Sequence, residues 1–230
     1  MHEMFLRSKG LIGEENFTKI QSKTICVIGL GGVGGTAFEC LLRSGFNKFV
    51  IIDMDSVSES NLNRQILYTE NDIGLSKVEC AKNLAKRINN DAKVTYFNQN
   101  INEFDLKELL RLGVDYIVDA IDDVNGKIKI AKFALDNNLP FIMSLGMANR
   151  HDPSKVTTTK LNKTTNDPLA KKIRYEIKRL GLDANSIKVV YSSENPVRDG
   201  TKLHSMMMVP SSAGLNIAYN VLSHFTEKES

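Results

Sequence analysis

The stretch that most constrains this chain is Thr24-Ile25-Cys26-Val27-Ile28-Gly29, which runs directly into Leu30-Gly31-Gly32-Val33-Gly34. A short β-branched run with no polar alternation reads as a strand buried on both faces, as in a parallel sheet. The glycines after it let the backbone turn tightly and come close to a pyrophosphate. A helical pattern to about residue 44 then places a helix N-terminus, which favours anionic charge, behind the loop.

The rest of the first half repeats that unit. Residues 48–53, 93–97, 115–121 and 140–145 read as strands, and 75–90 and 126–137 as helices. Strands alternating with helices imply a parallel sheet with right-handed crossovers. Past Gly146 the pattern changes. Residues 156–161 alternate like an exposed strand, 167–180 form a basic helix with Asp167-Pro168 as cap and first position, 187–191 are strand-like, and 210–225 read as an apolar helix. The expected fold class is α/β: a Rossmann-like parallel sheet extended by further strands, helices on both faces, and a C-terminal basic α/β portion. The expected division is an arm at 1–23, a nucleotide-binding core at 24–146, and a substrate portion at 147–230 packed on the same sheet.

Asp53 ends the second strand, 22 residues after Gly31, where an acid can accept hydrogen bonds from ribose hydroxyls. Loop and acid alone say adenine nucleotide. Arg64 and Lys77 say more: two further cations are surplus for a dinucleotide but suit a triphosphate, which Arg grips bidentately and Lys meets as a point charge. Asp122 follows the fourth strand, at the carboxyl ends that line a ligand crevice. A carboxylate beside phosphates is best explained by Mg2+ bridging them. Asp123 reads as a helix cap or a solvated neighbour.

Composition sets the outer limits. Apolar residues make up 42% and charged residues 25%, the balance of a soluble globular protein; no apolar stretch is long enough for a membrane span, and no secretory leader is visible. A cytoplasmic protein is expected. Cys26, Cys40 and Cys80 make neither a disulfide framework nor a zinc pair. His2, His151, His204 and His224 show no metal-ligand spacing, and Met206-Met207-Met208 read as strand or core packing. Residues 150–205 carry 12 Lys and Arg against 6 Asp and Glu, within a net charge of +3. That local excess hints at a polyanionic partner.

Taken in order, Gly29-x-Gly31-Gly32-x-Gly34, Asp53-x-Asp55, Ser60-Asn61-Leu62-Asn63-Arg64-Gln65, Gly74-x-x-Lys77 and the strand end at Asp122 resemble the ubiquitin-activating-like ThiF/MoeB superfamily, whose members adenylate a carboxylate with MgATP. The second half narrows the resemblance. Gly146, Asp152-Pro153, Asp167-Pro168, Arg174, Ser192, Glu194, Val209-Pro210 and Ala213-Gly214 are similar to the tRNA threonylcarbamoyladenosine dehydratases, from which His204-Ser205 departs where Gly-Ser is usual.

That resemblance implies ATP and Mg2+ as cofactors, and tRNA as a partner. It implies ATP-dependent cyclisation of threonylcarbamoyladenosine: the threonyl carboxylate attacks the α-phosphate, pyrophosphate leaves, and a nucleophile of the same group displaces AMP. It assigns the glycines, Asp53, Asp55, Asn61 and Asn63 to the nucleotide, Arg64 and Lys77 to the polyphosphate, and Asp122 to Mg2+. Arg7 takes the position of an arginine that crosses a homodimer interface to the partner's ATP. A sulfur-transfer protein is a further implied partner. On the basic helix, Lys171, Arg174 and Lys178 share one face and are candidates for RNA phosphates. Two alternatives stay open: an adenylating enzyme for a ubiquitin-like or sulfur-carrier protein, and an NAD-dependent oxidoreductase.

Overall fold

Along β1 (Thr24–Ile28), Ile25 and Val27 pack into one hydrophobic cluster while Cys26 and Ile28 pack into another on the opposite face. This explains why the run is apolar at every position. In the computed structural model, which describes residues 3–197, 199–200 and 202–226, β1 is an inner strand of one seven-stranded sheet. It is joined by β2 (Lys48–Asp53), β3 (Lys93–Asn98), β4 (Tyr116–Asp119), β5 (Phe141–Ser144), β6 (Val156–Lys160) and β7 (Lys188–Ser192), in the order β3-β2-β1-β4-β5-β7-β6. Every pairing is parallel except β6 with β7.

One face is covered by α3 (Gly32–Ser44), α4 (Lys77–Ile88) and α8 (Met208–Thr226), the other by α5 (Lys107–Arg111), α6 (Val124–Asp136) and α7 (Pro168–Arg179). The segment expected as an arm is helical: α1 (Leu6–Ile12) and α2 (Glu14–Ser22) follow a short 3-10 turn. Phe5, Phe17 and Ile20 enter the core, with the two phenyl rings 5.6 Å apart. The physical reason is apolar area: burying each such side chain is worth about 1.5–3 kcal/mol, which a solvated arm would forgo.

The three methionines correct an expectation. Met206, Met207 and Met208 are 50%, 40% and 49% exposed, because the side of α8 that meets the core begins only at Val209 and Pro210. β6 is an edge strand, with Val156 buried, Thr157 exposed and Thr158 to Lys160 partly covered by β7 and α8. His2 lies outside the described residues. No helix among them is long and apolar enough to cross a membrane.

The chain leaves β1 for β2 on one side and, later, reaches β4 on the other. In open parallel sheets, ligands bind at the carboxyl ends beside such a reversal.

Candidate nucleotide site

A cavity of about 520 Å3 opens at that point, between the ends of β1, β2 and β4. Gly29, Gly31 and Gly32 form one wall, Asp53 and Asp55 another, and Asn61, Arg64, Lys77 and Asp122 complete it. Gly34 sits behind, inside the first turn of α3, where any Cβ would overlap the Gly29 carbonyl oxygen. That absence of a side chain lets the loop fold back on the helix end and aim its N–H groups outward. The Tyr68 hydroxyl donates to the Leu30 carbonyl at 2.9 Å and fixes the loop from below.

Asp53 accepts from the Leu30 N–H at 2.6 Å and from the Asp55 N–H at 2.8 Å. Burial raises its carboxyl above the usual carboxylate range, while Lys77 and those two N–H groups oppose the rise. Lys77 is itself buried, and its Nζ lies 2.8 Å from Asp55 Oδ2. Lys77 thus faces the cavity as a held cation, and part of the charge of Asp55 is already matched. Arg64 is half-buried; one Nη donates to the Ser60 carbonyl at 2.7 Å and to Asn63 Oδ1 at 2.9 Å, and its remaining donors have no partner among the described residues.

Asn61 lines the cavity but spends Oδ1 on capping a 3-10 turn at the Ser58 N–H. Asn63 does not line it. Its amide donates to the Ser205 carbonyl at 2.9 Å and ties the loop to the segment before α8.

Asp122 is placed by its neighbours. Asp119, at the end of β4, is fully buried and bonded to the equally buried Lys127 of α6 at 2.8 Å, which pins strand end to helix. Burial raises the Asp119 carboxyl, Lys127 opposes the shift, and Oδ2 has no hydrogen-bond partner among the described residues. Asp123 is the cap of α6: it accepts from Asn102 at 2.9 Å and from the Gly126 N–H at 2.6 Å, and these bonds hold its carboxyl below the usual range. With both neighbouring acids engaged, Asp122 stands exposed at the cavity wall and makes no hydrogen bond or ion pair among the described residues.

Sequence reasoning missed the side of the cavity formed by Gln99, Asn100 and Asn102, which follow β3. The available signal was their place just past a parallel strand, at the same pole as Asp53. It also left Gln65 unassigned. That side chain lines the cavity with a buried Oε1 lacking a partner among the described residues, an acceptor a ligand could satisfy.

The remaining expected residues lie elsewhere. Arg7 is exposed on α1 and does not line the cavity. On α7, Lys171 and Lys178 are exposed, whereas Arg174 is half-buried and donates to the carbonyl and hydroxyl of Thr164. Arg174 is therefore committed to the loop after β6. Glu194 accepts from the His151 and Asp152 N–H groups at 3.1 and 3.0 Å, and Ser192 Oγ accepts from the Glu194 N–H at 3.2 Å. Both shape loops.

Comparison with known proteins agrees with this geometry. The ThiF family model matches residues 6–177. The tRNA threonylcarbamoyladenosine dehydratase of Bacillus subtilis (strain 168) is 31% identical over 223 residues, covering 92% of this chain and 87% of that protein. The protein of the same name from Escherichia coli (strain K12) is 34% identical over 200 residues, 83% of this chain and 75% of that one. The solved structure of E. coli TcdA in complex with ATP superposes with a TM-score of 0.90 at 30% identity, covering 97% of this chain and 93% of that one. The glycine loop at the sheet's reversal, the acids beyond β2 and β4, and a match over most of its length place this chain in the ThiF family.

Proposed function

We propose that this chain is an ATP-dependent tRNA threonylcarbamoyladenosine dehydratase. The observation that carries the reading is the idle carboxylate of Asp122 on the same cavity wall system as Arg64, Lys77 and the glycine loop, in a chain similar to those dehydratases over most of its length. The glycine loop and the N-terminus of α3 take phosphate, Asp53 takes ribose, and Arg64 and Lys77 neutralise the departing pyrophosphate. An unpaired carboxylate among phosphate-binding groups fits a divalent cation; Mg2+ there would be held by Asp122 and the phosphates, and would offset the charge of the leaving group.

The substrate's threonyl carboxylate attacks the α-phosphate and expels pyrophosphate. A nucleophile within the same threonylcarbamoyl group then attacks the activated carbonyl and expels AMP, so the ring closes with net loss of one water. Closure within one group lets proximity supply much of the rate. Arg7 reaches the partner's site in a homodimer, residues 24–146 serve the nucleotide and 147–230 the RNA, and Lys171 and Lys178 contact RNA phosphates. A sulfur-transfer protein is a further partner under this reading.

The test is mass spectrometry of nucleosides from tRNA carrying threonylcarbamoyladenosine, incubated with the protein and MgATP. A product lighter by one water, formed only with ATP, is expected. An unchanged nucleoside, or a chain stabilised thermally by NAD and not by MgATP, overturns the assignment.

A further inference from the structure

Lys160 and Lys188 are directly opposed partners in the antiparallel pairing of β6 and β7. Opposed residues of such a pair project on the same face, and like charges there are destabilising. Both lysines are half-buried, and neither has an acidic partner among the described residues. The acid just before β4, two strands from β7, is not available: Asp115 is taken by Lys23 Nζ at 3.0 Å and the Thr24 N–H at 2.8 Å. Both lysines line a second cavity, of about 310 Å3, together with Asn138, Ser186 and His224. Among the described residues no carboxylate lines it, and the Asn138 side-chain amide has no partner. This cavity lies at the amino ends of the parallel strands, at the opposite pole of the sheet from the nucleotide crevice.

We propose that this cavity is an anion site that takes a phosphate group between the ammonium groups of Lys160 and Lys188. A tetrahedral oxyanion converts the repulsion between the two cations into two charge-assisted contacts, and the Asn138 amide supplies a further donor. The site does not depend on the nucleotide reading. Two sources share this chemistry, free inorganic phosphate and the backbone of a nucleic acid.

The experiment compares the full chain with Lys160→Gln/Lys188→Gln, and with Lys188→Gln alone. In the first arm, thermal unfolding is followed in inorganic phosphate and in chloride of matched ionic strength, with MgATP saturating. Wild type should gain stability in phosphate over chloride, and the double variant should lose that increment while surpassing wild type in phosphate-free chloride. In the second arm, binding of bulk tRNA is measured against salt. If backbone phosphates occupy the site, the log–log slope of the double variant is shallower by about 0.7–0.9 for each phosphate held. An increment in the first arm alone identifies free phosphate; a changed slope identifies RNA. Identical phosphate responses and identical slopes in wild type and variant overturn the proposal. The MgATP-induced shift of the variant stays that of wild type, so a failure here is separable from a failure at the crevice.

Discussion

Asp122 differs from the acids around it in having no hydrogen bond or ion pair among the described residues. Asp53 is held by two N–H groups, Asp55 by Lys77, Asp119 by Lys127, and Asp123 caps α6. Asp122→Ala should therefore leave stability within about 0.5 kcal/mol of wild type, since no packing or network is removed. The same change should lower the rate of ATP-dependent dehydration at least about 100-fold, the scale of losing one charge-stabilising group. Unfolding midpoints and nucleoside mass spectrometry read the two effects separately. Asp53 carries a pH signature. Burial raises its carboxyl, so on acidification it protonates before an exposed aspartate does, and it then no longer accepts from two ribose hydroxyls. Weakening of ATP binding should set in above the usual aspartate range in wild type. It should be missing from Asp53→Asn, which binds more weakly at neutral pH; isothermal titration across pH distinguishes the two proteins. Residue identity made Asp53 and Asp122 legible in the sequence. Asp123, read as a helix cap or a solvated neighbour, is the cap; what the sequence did not reveal is the amide of Asn102 that also holds it, arriving from the loop after β3.

At the level of elements, β1, β2, β4 and β5 were readable because two-sided burial leaves an unbroken apolar run. The long helices were readable from their periodicity and from caps such as Asp167, whose side chain does accept from the Ala170 N–H at 3.0 Å. The helices α1 and α2 were not. Each is short, they are divided by Gly13, and their few apolar residues acquire a common face only against the sheet's covering helices. Ile20, with no exposed surface, is the measure of that contact. Ile20→Ala should cost about 2–5 kcal/mol, as other buried large-to-small changes do. A lower denaturant midpoint at constant slope would show it, whereas a shift below about 0.5 kcal/mol would mean that the segment behaves as a surface appendage. The turn after β5 was equally hidden. Asn149, at φ 60, exchanges hydrogen bonds with His204 and meets Lys202 and Val197, partners some fifty residues away that no local pattern announces.

Across the whole molecule, the sheet sorts its two cavities to opposite poles, and it keeps Arg7 on the outside of the subunit that bears it. If Arg7 completes the site of a second copy, Arg7→Ala and Asp122→Ala proteins are each inactive, yet a mixture that exchanges subunits regains activity. One intact site in each mixed dimer, with half of all dimers mixed, predicts roughly a quarter of wild-type activity in a two-fold assembly. No regain after confirmed exchange would place Arg7 outside the chemistry. The final helix has its own consequence. Pro210, in the first turn of α8, presses so closely on the glycine loop that a Cβ at Gly32 would lie 3.0 Å from its ring. The glycine loop thus leans on a wedge supplied from the far end of the fold's sequence order, not from its own neighbourhood. Local sequence can shape the loop, but only the completed fold puts a firm floor beneath the phosphates.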